Sequence, residues 1–390
     1  VEARHFLVSV PKKNEKICFR KHLPIRCWQG TITVSATIPW NGGIKRKKKE
    51  LSVMKRVFVI FLAFFFAFPL LTGCTGSGAA DGSVNIKIAH VSQEGVPIDR
   101  AARRLGELLY AQTDGRITVD VFPASILGGN RELLEQLQFG TLEMVIPSVA
   151  FLGGFTDATG LLDLPYLFVS DSAAEEVLDG EVGQAIFSRL ADAGFVGLAW
   201  FSTGWRHLTA NEIVRTPADM RGKRIRVMEN QMHIDHFNAI GASAIPMAFS
   251  EVFTALQNRT IDSQENPYAN IQGNRLNEVQ RYIIETGHVY DTAPLLASRI
   301  WWDRLSAEDQ ILIRDNVAYI LGWQRMISLE DQDEIRQAFN DNGFNTVVQL
   351  TPEERAAFRV AAQPVFDTHG PRIGLDLIEM VEEVNRRHIQ

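Results

Sequence analysis

The chain has 390 residues, 46% of them apolar and 22% charged, enough apolar material for a sizeable core and more than one lobe. The net charge of −6 hides two unlike parts: residues 1–53 carry +9, Lys55 and Arg56 add two, and everything from residue 74 onward carries −17. So acidic a body argues against a nucleic-acid partner, which needs clustered lysine and arginine to replace condensed counterions, and it leaves any anion capture to a few placed cations.

The break in composition falls at Met54. Lys55 and Arg56 form a short basic start, Val57 to Leu71 is an apolar run interrupted by Pro69, and Leu71-Thr72-Gly73-Cys74 closes it with small residues. Residues 54–73 therefore read as a bacterial lipoprotein signal, with Cys74 lipidated and first in the mature chain. The apolar run, about 15 residues, is short of the ~20 that cross a bilayer. Residues 1–53 are expected to be an over-extended reading of the gene or a disordered basic leader; a native peptide from them, seen by mass spectrometry, would refute the first. Cys18 and Cys27 lie in that leader, so the chain beyond Cys74 has no second cysteine for a disulfide or a thiolate metal cage. The expected location is extracytoplasmic, on the periplasmic side, lipid-anchored to a bacterial membrane.

Residues 74–83 are small and polar, as in a flexible tether. Val84, Ile86, Ile88 and His90 alternate with Asn85, Lys87 and Ala89, a strand pattern. Ala101, Ala102, Leu105, Leu108 and Leu109 then recur at helical spacing up to Asp114-Gly115, and Ile117, Val119 and Val121 resume alternation. Strand, helix, strand in that order implies a right-handed crossover and a largely parallel sheet. A helix over 131–139, capped by Asn130 and released at Gly140, precedes a buried strand at Met144–Ile146. Capping boxes at Thr216, Ser306 and Thr351 mark three further helix starts. Alternating strands and helices over about 300 residues, with no linker, suit two intertwined α/β lobes with a ligand crevice between them.

Several segments match one family pattern. In the first part these are Thr113-Asp114-Gly115-Arg116, Leu127-Gly128-Gly129-Asn130-Arg131-Glu132 and Leu162-Asp163-Leu164-Pro165-Tyr166. Later come Ile225-Arg226-Val227, Pro246-Met247-Ala248-Phe249-Ser250-Glu251 and Gln264-Glu265-Asn266-Pro267, with Ser263 standing where the pattern has Gly. Over about residues 84–385 the chain resembles the dicarboxylate-receptor (DctP-type) solute receptors of TRAP transporters. The resemblance implies a two-lobed, periplasmic-binding-protein-like α/β fold with hinge strands and a central ligand cleft. It implies lobe I from residues 84–203 plus 292–331 and lobe II from 204–291 plus 332–390. Its partners would be a small organic-acid anion and the TRAP membrane permease subunits, with no cofactor and no catalysis.

The same resemblance assigns site residues. Arg226 corresponds to the arginine that pairs with the ligand carboxylate, and a planar guanidinium with two parallel donors fits two carboxylate oxygens; pairing with an internal acid is the alternative. Arg206 matches a second cleft arginine, or forms a salt bridge. Asn266 matches an amide that bonds the ligand, or a turn residue before Pro267. Phe249 matches an aromatic against the ligand's carbon skeleton, or plain core. Ser92, Ser148 and Asn230 are placed by their loops to reach the same ligand. The resemblance leaves the anion open; the polar groups favour a sugar acid slightly over a four-carbon dicarboxylate.

Two rival readings remain. A receptor for an ATP-driven importer would share the two-lobed architecture. An exported enzyme would need a catalytic signature, and no Gly-x-Ser-x-Gly elbow, His-Glu-x-x-His motif or phosphate loop is present. His233-Ile234-Asp235-His236 puts two imidazoles on one helical face, a metal-ligand spacing also met in ordinary core or surface histidines.

Overall fold

The computed structural model describes residues 82–389. Cys74, the signal and the leader lie outside the described residues. Among these no helix is long and apolar enough to cross a membrane.

The first lobe begins as its alternation predicts. Strand β1 (Val84–His90) leads into helix α1 (Pro97–Gln112), strand β2 (Ile117–Phe122), helix α2 (Asn130–Gln138) and strand β3 (Met144–Ile146). Both β2 and β3 lie parallel to β1. Helix α1 presses so closely on the sheet that a Cβ on Gly106 would come within 2.9 Å of Val119 Cβ, which fixes glycine there. Gly140 releases α2 with φ +71°, a conformation that costs other residues energy. One expectation is corrected here: Asn130 is the first helical residue, not the cap, and its Oδ1 accepts the Ser148 N–H at 3.2 Å.

Helices α3 (Asp171–Asp179) and α4 (Glu181–Asp192) precede the long strand β4 (Phe195–Trp205). After Arg206 the chain enters a different sheet as β5 (His207–Ala210). Next come β6 (Arg224–Val227), α5 (Gln231–Ala239), β7 (Ser243–Pro246), α6 (Val252–Gln257), β8 (Ser263–Asn266), α7 (Tyr268–Gly273) and β9 (Tyr282–Glu285). The chain returns to the first sheet as β10 (Tyr290–Ser298). The two sheets run β2-β1-β3-β10-β4 and β11-β9-β5-β8-β6-β7, where β11 is Thr346–Gln349. Each is largely parallel, with one reversed strand: β10 in the first and β5 in the second.

Those reversed strands belong to the two segments that cross between lobes. The Arg206 N–H donates to the Val289 carbonyl at 2.9 Å, so the crossings run side by side. After the short α8 (Arg299–Trp302), the 35-residue helix α9 (Ala307–Asp341) makes a third link. It packs on α1 and β4 in one lobe and on α7 and β11 in the other. Gln324 pins it to β4, accepting from the Ser202 N–H at 3.0 Å and donating to the Ser202 carbonyl at 2.7 Å. Helix α10 (Pro352–Ala361) starts at a capping box formed by Thr351 and Glu354. Helices α11 (Gln363–Ile373) and α12 (Leu375–Ile389) complete the described chain, and α12 packs on α3 and α4.

Apolar clusters cover both faces of each sheet. Ile86, Ile88, Met144 and Ile146 point into one and Ala89 and Val145 into the other, which is the strand alternation read from sequence. In the second lobe Ile225 and Val227 enter the core with Leu208 and Ile284. Alternation therefore turns Arg226 away from that core.

Candidate functional site

A buried ionic network occupies the crossing. Arg206, 1% exposed, donates through Nε to Glu265 Oε2 at 2.5 Å and through Nη2 to Glu265 Oε1 at 2.9 Å. It also donates through Nη2 to the Glu265 carbonyl at 2.7 Å and through Nη1 to Asp291 Oδ2 at 2.8 Å. Four of its five N–H groups are thus committed to the protein. Burial alone would favour the neutral guanidine, but Glu265 and Asp291 outweigh it and raise the pKa of Arg206. Burial likewise pushes Glu265 up, and Arg206 with His288 overcomes it and holds that carboxyl well below the usual range. His288 Nε2 lies 3.0 Å from Glu265 Oε2, and its Nδ1 lies 2.8 Å from Thr286 Oγ1. Since an ionised carboxylate only accepts, Nε2 carries the proton.

Arg226 is solved differently. It is equally buried, at 1% exposure, yet its only hydrogen bonds among the described residues are from Nε and Nη2 to the Met247 carbonyl, at 2.9 and 2.7 Å. No carboxylate lies within salt-bridge distance of it there, and its guanidinium sits 5.6 Å from the centre of the Phe249 ring. Burial pushes its pKa down to about 10, with Glu265 partly offsetting. A buried cation without a counterion is costly unless something supplies the opposite charge.

That something has a place. Arg226, Arg206, Phe249, Asn266, Ser148 and Ser92 all line one cavity between the two sheets. Asn266 donates to Gln264 Oε1 at 2.6 Å, and Ser92 Oγ donates to Asn270 Oδ1 across the lobes at 3.1 Å. Ser148 Oγ faces Met228 Sδ at 3.4 Å and Asp291 Oδ1 at 3.5 Å. Six of the seven ligand residues predicted from sequence are thus brought together; Asn230 is not. Its Oδ1 caps α5 by accepting the Met232 N–H at 2.8 Å, and its Nδ2 donates to Asp163 at 2.9 Å and the Ala150 carbonyl at 2.7 Å. It lines a neighbouring groove of about 380 Å³ instead.

Sequence reasoning passed over Asp291, Asn270, Thr203 and Phe151, which line the Arg226 cavity. Asp291 had a signal: it is the one charge in the strand Tyr290–Ser298. His233 and His236 are both buried; His233 meets Asp163 at 3.1 Å, while His236 packs against Tyr166, Phe237 and His288.

Two α/β lobes are joined by crossing strands, and the crevice between them holds Arg226, a buried cation with no carboxylate partner among the described residues, an arrangement suited to holding an anionic solute. The sequence profile of the bacterial extracellular solute-binding proteins, family 7 (DctP), matches residues 88–370. The chain belongs to that family, and it is an extracytoplasmic solute receptor of the TRAP type. It is 34% identical over 299 residues, 76% of this chain and 90% of the relative, to the C4-dicarboxylate-binding periplasmic protein DctP of Rhodobacter capsulatus. It is 32% identical over 289 residues, 73% and 87%, to the 2,3-diketo-L-gulonate-binding periplasmic protein YiaO of Escherichia coli. Among solved structures, a TRAP solute-binding protein of Shewanella oneidensis with bound succinate superposes with a TM-score of 0.76 at 32% identity, covering 78% of this chain and 99% of that one. The sugar-acid-binding protein of Advenella mimigardefordensis in complex with galactonate gives 0.76 at 30% identity, covering 78% and 98%. These likenesses favour the TRAP reading over a receptor for an ATP-driven importer.

Proposed function

We propose that this receptor captures a carboxylate-bearing organic anion by pairing its carboxylate with Arg226. The observation that carries the reading is the guanidinium itself: buried, aimed away from the core, and bonded to no acid among the described residues. A carboxylate docked on the free edge supplies the missing charge through two parallel hydrogen bonds, each contributing roughly 1.5–3 kcal/mol. Phe249, already stacked near Arg226, covers the carbon skeleton, and Asn266, Ser148 and Ser92 offer polar contacts around it. Arg206 serves as the fixed electrostatic post of the crossing rather than as a second ion pair for the ligand. The ligands carried by relatives, succinate and galactonate, are both anions of this kind.

Calorimetric titration with a panel of such acids tests the site. Arg226→Ala should weaken binding of whichever acid the wild type takes by at least tenfold, and unchanged affinity would remove Arg226 from the site.

Delivery is to a TRAP permease, and we propose that the receptor waits for it on a lipid anchor at Cys74. The support is the sequence alone: a basic start, an apolar run and Leu71-Thr72-Gly73-Cys74. Cells fed an alkyne-tagged fatty acid should label the native receptor and not a Cys74→Ser variant; an unlabelled native chain excludes the anchor.

A further inference from the structure

We infer that Asp291 makes this receptor selective for polyhydroxy monocarboxylates, acids of the aldonate type, and rejects acids with a second carboxylate. The inference rests on Arg226 as the carboxylate anchor and goes on to the other end of the same ligand.

The cavity holds two guanidinium groups, which at first sight fits a diacid. The hydrogen bonds say otherwise. Arg206 is already bidentate to Glu265 and bonded to Asp291 at 2.8 Å, so its charge is spent inside the protein and one N–H of Nη1 remains. With Asp291 ionised, as its bond to Arg206 favours and its burial opposes, Arg206 and Arg226 against Glu265 and Asp291 sum to zero, and one carboxylate on Arg226 brings this buried group to a single negative charge. A second would have to lie in a narrow space beside Asp291, itself 4% exposed and lining the cavity. Two carboxylates close together out of water repel strongly, and no free cation among the lining residues offsets them.

Hydroxyl groups meet the opposite reception. Asp291 is acceptor-only when ionised; burial pushes its pKa up while Arg206 and the Thr203 hydroxyl pull the other way, and its Oδ1 also faces Ser148 Oγ at 3.5 Å. Thr203 Oγ1, buried in the same lining, lies beside the Asp291 carboxyl. Asn266, Asn270, Ser92 and Ser148 complete a wall that can both give and take hydrogen bonds. A chain of hydroxyl-bearing carbons fits such a wall; a methylene chain ending in a second carboxylate does not. A site built to bond hydroxyls rejects a ligand lacking them, because its own polar groups are left unpaired.

The test compares acids that differ only at the far end. Calorimetry on the purified receptor would use aldonates of four to six carbons, the aldarates of matching length and configuration, and succinate. The expected result is that an aldonate binds tightest, at least tenfold ahead of its aldarate and of succinate, and that Asp291→Asn narrows the aldonate-to-aldarate ratio to below threefold. A diacid as the tightest wild-type ligand overturns the inference, as does binding of no aldonate or an unchanged ratio in the variant. The wild-type ranking needs no variant, so a poorly folding Asp291→Asn leaves the inference exposed to refutation. Arg226→Met separates the two readings. If it loses all acids while diacids lead in the wild type, only the role of Asp291 falls; if it still binds acids, the anchor falls as well.

Discussion

Two arginines at the same depth show how a side chain's partners decide its use. Arg206 and Arg226 are each 1% exposed, but one is surrounded by acids and the other by a carbonyl and a ring. A buried charge without a partner carries a desolvation cost that no counterion offsets, and an apolar side chain of similar size is free of that cost. Arg226→Met should therefore melt, without ligand, at a temperature no lower than the wild type, while losing the rise in melting temperature that bound ligand brings. Glu265→Gln should do the reverse, lowering stability by about 3 kcal/mol or more, because it leaves Arg206 with a buried charge half-matched. Denaturant titration of the two variants side by side checks the contrast; equal losses in both would contradict it.

The buried imidazoles add a pH dependence at the same scale. Burial lowers the pKa of His288, pushes His236 well below 6.5 and takes His207 to about 3. For a histidine depressed in this way the unfolded chain is the better proton binder, so stability falls as pH drops below the unfolded value of about 6.5. Each group contributes up to about 1.4 kcal/mol per pH unit in that window. Glu265, also depressed, adds a loss that begins only as pH falls below its unfolded 4.5. The urea midpoint should thus decline between pH 7 and 5.5, less steeply in His207→Gln; a flat midpoint would show that these rings accept protons in the fold. Little of this was legible beforehand. Arg226, Phe249 and Asn266 stand in recognisable segments, whereas Asp291 matters through a contact with Arg206, 85 positions away in sequence, and no local pattern carries that.

Elements were more legible than their ends. Strand alternation in Val84–His90 and helical spacing through 101–109 report which faces are buried, and the fold buries them. Asn130 was misplaced by one position because a cap and a first-turn residue look alike in sequence, and the tertiary partner Ser148 claimed its side chain. The longest element invites a direct test. Gly322 lies inside α9, where a Cβ would meet nothing within 4 Å. Alanine there removes conformational freedom from the unfolded chain and improves helix propensity, so Gly322→Ala should stabilise the receptor by roughly 0.5–1 kcal/mol. Thermal denaturation measures it, and a destabilised variant would mean that α9 needs to bend at this residue.

At the scale of the whole molecule, the cavity is drawn tight. Its volume is about 30 Å³, against roughly 300 Å³ or more for ordinary small-molecule pockets, so an organic acid can enter only if the lobes part. Parting must break hydrogen bonds that cross the crevice, among them those from Ser92 to Asn270 at 3.1 Å, from Gln93 to Asn274 at 3.0 Å and from Asn230 to Asp163 at 2.9 Å. The two strand crossings and α9 are the links between the lobes, and the ionic network of Arg206, Glu265 and Asp291 sits at the strand crossings. These latch bonds belong to the drawn-together arrangement and not to the carboxylate contact at Arg226. Removing one therefore lowers the population of the closed state without touching the anchor. Gln93→Ala should speed ligand dissociation severalfold in stopped-flow measurements and leave the association rate within about twofold, since most affinity changes within one interface reside in the off-rate. A dissociation rate equal to that of the wild type would show that closure is held by the ligand alone.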